Sequence, residues 1–164
     1  MLLILVRHAD AGERDADKWP DDDLRPITAR GRRRQTDCAK AMKKLGITAD
    51  HLFTSPLTRA VQTAEIIADV HEMQPAVVNE VLGHECNAHA VSKMLDRLGA
   101  GESAMLVGHE PSFSRVAAAM IGKSSDADLV LKKSGVIGIE FDGAPAPGVG
   151  RLLYLLKPGF LVKL

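Results

Sequence analysis

Short apolar runs alternate with longer amphipathic stretches along this chain. The runs are rich in Leu, Ile and Val, which is typical of buried strands, and they cover residues 2–6, 52–54, 76–78, 104–107, 136–141 and 152–156. Between them, apolar residues at helical spacing predict helices that end at Gly46, that cover about 57–70 and 88–98, and that follow Pro111. Strands that alternate with helices predict an α/β fold, a three-layer α/β/α sandwich around a mainly parallel sheet.

Three segments depart from this simple alternation. The Gly- and Pro-rich segment 142–150 joins the last two strands without a helix, so we expect an antiparallel C-terminal hairpin. Residues 11–26 form a long acidic stretch, and such loops in compact domains are usually functional or disordered. Trp19 within it either covers the mouth of a site or anchors the loop. Before the second helix, we expect Ser55 as the cap and Pro56 as the first helical residue.

The totals restrict the class of protein. A chain of 164 residues suits a single domain, 1–164. A formal net charge of zero and an aromatic content of 4% argue against nucleic acid or an anionic membrane as a partner. Cys38 and Cys86 lack metal-ligand spacing, and we expect them to be free thiols of a cytoplasmic protein, with Cys38 in the core. No apolar stretch approaches transmembrane length, and the first is too short for a signal peptide.

Cationic and imidazole side chains follow three of the predicted strands. Arg7 and His8 come directly after the first strand, Arg59 lies in the first turn of the helix after the second, and His109 follows the fourth. In open α/β sheets, ligands bind beyond the carboxyl ends of the strands, so we expect these four side chains to converge. Clustered cations repel one another, and their convergence therefore predicts a bound anion, most simply a phosphate group.

The same residue types suit phosphoryl transfer. Arginine pairs with two phosphate oxygens at once, and a neutral histidine can attack phosphorus in line. Neighbouring arginine charges lower the pKa of a histidine, which keeps its lone pair available near pH 7. Because arginines can supply the positive charge, we expect neither a metal nor another cofactor, and the sequence contains no Walker-type glycine loop.

Four ordered blocks of the chain resemble those of the histidine phosphatase superfamily, whose fold is the phosphoglycerate mutase-like sandwich. The resemblance is greatest to its small SixA-type phosphohistidine phosphatases, and it covers nearly the whole chain. The usual Arg-His-Gly of the superfamily is Arg-His-Ala here, with Ala9, a change that SixA-type members tolerate. The blocks read LVRHADAG, LRPITARGRRRQ, TSPLTRAVQTAEII and MLVGHEPSFS.

This resemblance implies a role for each matched residue. His8 would be the nucleophile that becomes phosphorylated, with Arg7, Arg59 and His109 as the phosphate pocket. Arg25 would either contact the phosphate or neutralise the acidic residues 21–23. Two further residues, Thr28 and Gly31, would begin a helix. Larger members place a carboxylic acid near the middle of the chain to protonate the leaving oxygen, and the residue at that position here is Glu80, with Glu85 nearby.

The absence of a strong motif around Glu80 bears on the substrate. An alkoxide leaving group needs an acid, whereas phosphohistidine releases an imidazole that can already carry its proton. We therefore expect a phosphohistidine-bearing protein as the substrate. The alternatives are a small phosphomonoester in the same site, or a non-catalytic module that binds phosphoproteins. The arginines at positions 30 and 32–34 are expected on a solvated helix face, and His51, His71, His84 and His89 in surface or loop roles.

Overall fold

The computed structural model of the protein describes residues 1–99, 101–122 and 129–164. In these residues, the strands are β1 (Leu2–Arg7), β2 (His51–Thr54), β3 (Val77–Val78), β4 (Ser103–Gly108), β5 (Val136–Glu140) and β6 (Arg151–Leu156). The helices are α1 (Ala29–Lys44), α2 (Thr58–His71), α3 (Ala88–Leu95), α4 (Ser112–Met120) and the short α5 (Pro158–Leu161). Short 3-10 turns cover Asp22–Leu24 and Glu80–Leu82.

The strands form one mixed sheet in the order β3-β2-β4-β1-β5-β6. Strands β1 to β4 are parallel to one another, β5 is antiparallel to β1, and β6 is antiparallel to β5. The predicted C-terminal hairpin is therefore confirmed. Strand β1 lies inside the sheet with a neighbour on each side, so the residues that follow it start from a rigid, fully hydrogen-bonded element.

The alternating side chains of β1 divide the core into two layers. Ile4 and Val6 belong to the cluster that α1 and α2 cover, whereas Leu3 and Leu5 belong to the cluster under α3 and α4. This alternation follows from the period of two along a strand. The predicted three-layer α/β/α sandwich is confirmed. Within the part of the chain that the structure describes, no helix is long and apolar enough to cross a membrane.

The two cysteines lie in different layers of the core. Cys38 on α1 packs in one cluster and Cys86, before α3, in the other, and both are free thiols. Burial raises the pKa of the Cys38 thiol to about 11 and that of Cys86 to about 12, so both remain protonated at neutral pH. The prediction of free thiols, with Cys38 in the core, is confirmed.

The start of α2 differs from the prediction. The helix begins at Thr58, its N-cap is Leu57 without a side-chain cap bond, and Ser55 and Pro56 lie before it. The amide of Ser55 donates to the Val107 carbonyl, which continues the pairing of β2 with β4. The helix begins two residues too late for Ser55 to be its N-cap, and the Ser55 hydroxyl is hydrogen-bonded to His109 instead.

The loop after β1 is held by the start of α1. The amide of Thr28 donates to the Asp10 carbonyl at 2.8 Å, while its hydroxyl caps α1 by accepting from the Gly31 amide at 2.9 Å. A Cβ atom on Gly31 would lie 2.2 Å from the Asp10 carbonyl oxygen. The prediction that these residues begin a helix is therefore confirmed, and the glycine is needed because the helix and the loop touch through their backbones.

Replacement of this glycine tests the contact. We expect Gly31→Ala to lower the free energy of unfolding by about 1 to 3 kcal/mol, because the added methyl forces the loop away from α1. Thermal and urea unfolding measure the change. Gly159→Ala is the matched control, because its Cβ would meet nothing within 4 Å. Equal unfolding curves for the two variants would contradict this account of the contact.

Candidate active site

The carboxyl ends of β1 and β4 and the start of α2 meet around a cavity of about 330 Å³. Its lining includes all four side chains predicted to converge. They are Arg7, His8, Arg59 and His109. The cavity lies at the sheet edge where parallel α/β folds bind ligands.

His8 is held in one orientation and one tautomer. Its Nδ1 atom lies 2.7 Å from the Ala9 carbonyl oxygen, and since a carbonyl only accepts, Nδ1 carries the proton. The lone pair is therefore on Nε2. The amide of Ala9 donates at 2.9 Å to the hydroxyl of Thr63 on α2, which in turn donates to the Arg59 carbonyl at 2.7 Å. These bonds hold the backbone directly after His8 against α2.

His109 lies opposite His8 in the cavity. The ring centroids of the two residues are 5.1 Å apart, and the rings are inclined by 50°. Its Nε2 atom is hydrogen-bonded to the Ser55 hydroxyl at 2.7 Å, while Nδ1 is buried with no partner among the described residues. Ser55 Oγ also accepts from the Leu57 amide at 3.3 Å. Ser55 thus orients an imidazole that follows the neighbouring strand.

Both imidazoles are neutral at physiological pH. Burial, above all, together with the charges of Arg59, Arg7 and Lys133 lowers the pKa of His8 to about 4, against the opposing effect of its bond to the Ala9 carbonyl. Burial likewise lowers the pKa of His109 to about 3, with smaller effects from His8 and the arginines. A neutral His8 with a free Nε2 lone pair has the properties of a nucleophile.

The two arginines present unpaired donors. Arg7 Nη1 donates to the Leu131 carbonyl at 2.9 Å, and Arg59 Nη1 donates to the Asp22 carbonyl at 2.8 Å. The Nε atoms of both are buried and have no partner in the described part of the chain. Burial lowers the pKa of both guanidinium groups, so an anion between them would remove an electrostatic cost. His109 Nδ1 carries the ring proton when Ser55 donates to Nε2, and with that donor the unpartnered arginine N–H groups match the acceptor oxygens of a tetrahedral oxyanion.

Arg25 also lines the cavity, and each of its three nitrogens already has a hydrogen-bond partner. Its Nε donates to Asp22 Oδ1 at 2.8 Å, and its Nη1 donates to the carbonyls of Ala11 and Gly12 at 2.9 and 3.1 Å. Asp22 also approaches Arg59, with 3.5 Å between Oδ2 and Nη1. Of the two predicted roles, the ion pair within the acidic loop is therefore present, and Arg25 joins the two ends of that loop.

Glu80, the predicted acid, is not brought into the cavity. Asn79 caps the 3-10 turn by accepting from the Val81 amide, Leu82 is the buried residue of that turn, and the side chain of Glu80 is exposed. Glu80 is not among the described residues that line the cavity, and neither is its neighbour Glu85. The turn directs its apolar side into the core, so its first residue points to solvent.

Other titratable groups occupy the mouth instead. His84 Nε2 lies 2.9 Å from Asp23 Oδ1, and Lys133 Nζ lies 2.5 Å from Asp10 Oδ1. Glu110 Oε1 accepts from the Ser114 amide at 3.0 Å, and its Oε2 lies 2.6 Å from the Ser114 hydroxyl, which is also 2.6 Å from the Leu129 carbonyl. Among the residues described, no three His, Cys, Asp or Glu side chains form a group able to hold a metal ion.

Sequence reasoning missed several of these residues. Ser55 directly follows β2, so the rule that ligands bind at strand ends could have identified it. Thr63 and Lys133 gave no such signal, because one lies inside a helix and the other before an antiparallel strand. His84 was expected in a loop role, yet it lines the cavity. Trp19 is half-buried and lies outside the described lining, so this cavity gives no support to its role as a cover.

The sequence and the geometry agree with a known family. The family model of the histidine phosphatase superfamily (branch 1) matches residues 3–97, which include three of the four convergent side chains. The chain belongs to the histidine phosphatase superfamily. Membership confirms the predicted phosphatase class of enzyme. An uncharacterized protein of Picosynechococcus sp. (strain ATCC 27264 / PCC 7002 / PR-6) is 36% identical over 166 residues, with 99% of each chain covered.

Solved structures share the whole fold of this superfamily member. The protein histidine phosphatase SixA, complexed with tungstate, matches with a TM-score of 0.82 and 23% identity over 98% of this chain and 99% of that one. A mutant phosphoserine phosphatase from Entamoeba histolytica, in complex with phosphoserine, matches with a TM-score of 0.71 and 13% identity over 96% and 97% of the two chains. At these identities, the likeness establishes the fold.

The protonation of the two imidazoles can be measured directly. We expect nitrogen-detected NMR to show His8 neutral with its proton on Nδ1 at pH 6, and to follow its titration near pH 4. Because this pKa lies below that of an unfolded histidine, the unfolded chain binds more protons, and the free energy of unfolding should fall as pH falls from about 6.5 towards 4. Exposed His89 is the internal control. Titration of His8 near 6.5 would contradict this description.

Proposed function

We propose that this protein is a metal-independent phosphatase that forms a phosphohistidine intermediate on His8 and acts on phosphohistidine carried by a protein. The observation that supports the proposal most is the state of His8. It is a neutral, oriented imidazole with a free Nε2, and it lines the same cavity as Arg7, Arg59 and His109, each of which has a buried nitrogen without a partner among the described residues. A nucleophile surrounded by donors that match an oxyanion is the arrangement that phosphoryl transfer requires.

In the first step, the Nε2 lone pair of His8 attacks phosphorus while the bond to the leaving nitrogen breaks. Arg7 and Arg59 hold the equatorial phosphoryl oxygens and supply the positive charge that a metal ion provides in other phosphatases. The proton on Nδ1 stays on the ring, and its bond to the Ala9 carbonyl stabilises the positive charge that develops there. His109 Nδ1 donates the third contact.

The leaving group of this substrate needs no acid from the protein. A phosphohistidine ring protonated at its distal nitrogen departs as a neutral imidazole, so protons and charge balance without a donor. The surroundings of the cavity fit this requirement, since Glu80 points to solvent and both oxygens of Glu110 are hydrogen-bonded to Ser114. In the second step, water attacks the phosphoryl group, the bond to Nε2 breaks, and dihydrogen phosphate leaves with both water protons.

A small phosphomonoester is the second candidate substrate, and one observation favours it. His84 lines the cavity and its Nε2 is bonded to Asp23, so a protonated His84 could give a proton to a departing alkoxide. The phosphoserine phosphatase from Entamoeba histolytica has the same fold. The two candidates differ in whether activity depends on this histidine.

A comparison of substrates tests the proposal. We expect the protein, with chelator present, to release phosphate from a histidine-phosphorylated carrier protein more efficiently than from phosphoserine or phosphoglycerate. His8→Ala should lower the rate by at least about a thousandfold, because it removes the nucleophile. His89→Ala, a change at an exposed histidine of α3, is the matched control and should retain full activity. With a substrate whose phosphoryl group is radioactively labelled, acid-labile radioactivity on the protein would report the phosphohistidine intermediate.

The nucleophile, the metal independence, the substrate and the hydrolysis itself can each be contradicted by a separate result. Activity that survives His8→Ala would overturn the nucleophile, and activity abolished by the chelator would overturn the metal-independent mechanism. Comparable turnover of phosphoglycerate, lost in His84→Ala, would favour the phosphomonoester. Binding without hydrolysis of any of these substrates would indicate a phosphoprotein-binding module.

A further inference from the structure

A second cavity, of about 650 Å³, opens beside the candidate active site, and we call it the basic groove. Six of its lining side chains are cationic, and no aspartate or glutamate lines it in the described parts of the chain. The six are Arg7, Arg34, Lys132, Lys133, Lys157 and Lys163.

The basic groove is assembled from four distant segments. Arg7 ends β1, Arg34 lies on α1, Lys132 and Lys133 precede β5, and the segment from Lys157 to Lys163 includes α5. Arg34 lies in the run of arginines expected on a solvated face. Unlike the neighbouring exposed arginines, it is half-buried, and its Nε is buried without a partner among the described residues.

The positive charge of the basic groove is largely uncompensated. Of its six cations, Lys133 is paired with Asp10, and the other five have no carboxylate within 4.0 Å in the described parts of the chain. The whole chain has a formal net charge of zero, so this groove is a local concentration of like charge. Like charges repel at short range, and an anionic ligand would relieve that repulsion.

The basic groove adjoins the candidate active site. Arg7 and Lys133 line both cavities, so a ligand whose phosphoryl group lies beside His8 has the groove as its next contact surface. The groove is about twice the volume of the active-site cavity, which leaves room for a chain segment beyond the phosphate.

The lining favours a protein segment among anionic ligands. Phe160 on α5 is 67% exposed and lies among the lysines, where it offers an apolar contact beside the charges. Acidic protein segments commonly contain apolar side chains between their carboxylates. Single-stranded nucleic acid is bound instead by several interleaved aromatic side chains, and Phe160 is the one aromatic residue of the described lining.

We propose that the basic groove binds an acidic segment of the protein substrate, next to its phosphohistidine. This inference rests on the proposed function, and it adds the chemistry by which a substrate is selected. Carboxylates of the partner pair with Lys132, Lys157 and Lys163, and the phosphoryl group then lies between Arg7 and His8. Such pairing increases the rate of association and selects among partners, and salt weakens it.

Two synthetic peptides test this proposal. Each contains one histidine, phosphorylated with phosphoramidate, followed by four glutamates in one peptide and four glutamines in the other. At low salt we expect kcat/KM to be about tenfold higher for the glutamate peptide, from several weak exposed ion pairs together. The double variant Lys157→Gln/Lys163→Gln should remove most of this preference and leave p-nitrophenyl phosphate hydrolysis unchanged. Lys40→Gln/Lys93→Gln, at exposed lysines elsewhere, is the matched control.

A binding measurement separates this proposal from the proposed function. Fluorescence anisotropy with the unphosphorylated glutamate peptide reports the groove even if neither peptide is hydrolysed. Binding that Lys157→Gln/Lys163→Gln weakens about fivefold, and that salt weakens, would support the groove alone. Equal binding of the glutamate and glutamine peptides would overturn it.

The same experiment also tests two other classes of anionic ligand. A labelled single-stranded oligonucleotide and vesicles of phosphatidylserine are tested against the same variants. If either binds more tightly than the glutamate peptide and depends on Lys157 and Lys163, the groove serves that class of partner and the proposal is wrong. If neither competes with the peptide, an acidic protein segment remains the ligand.

Discussion

The burial of two arginines beside two imidazoles at one edge of the sheet is the constraint on which this structure depends. Removing a guanidinium group from water costs free energy, and Arg7 and Arg59 recover part of it from backbone carbonyls and nearby carboxylates. The same burial keeps His8 and His109 neutral. One environment thus produces both the charge that attracts a phosphate and the lone pair that can attack it.

The scaffold around these groups is organised to hold them still. Strand β1 has a paired neighbour on each side, so the turn that follows it begins from a fixed position. Thr63 and Gly31 then hold the residues just beyond His8 against α2 and α1. Gly108 has a comparable role before His109, because a Cβ there would lie 2.4 Å from the Phe113 ring. Gly31 lets two backbones approach closely and Gly108 leaves space for the Phe113 ring, and both contacts help to place the imidazoles.

Under the proposed function, the surroundings of the cavity rather than its centre would select the substrate. The fold is shared with phosphatases of different specificity, so the common core cannot by itself discriminate among phosphorylated compounds. Three charged features surround the cavity here: the acidic loop joined by Arg25, the His84–Asp23 pair, and the basic groove beside Arg7. Each presents charge at a distance that a bound substrate could reach.

The sequence by itself determined the α/β sandwich, the C-terminal hairpin and the convergence of Arg7, His8, Arg59 and His109, because periodicity and strand ends are local signals. Their order along the chain also identified the superfamily. The sequence could not predict where the side chains of Glu80 and Ser55 point, because those directions depend on which face of a turn enters the core. Only the tertiary structure decided the His8 tautomer and the basic groove. The tautomer depends on the backbone geometry that brings the Ala9 carbonyl to Nδ1, which no sequence pattern records. The groove depends on contacts between segments that are far apart in sequence.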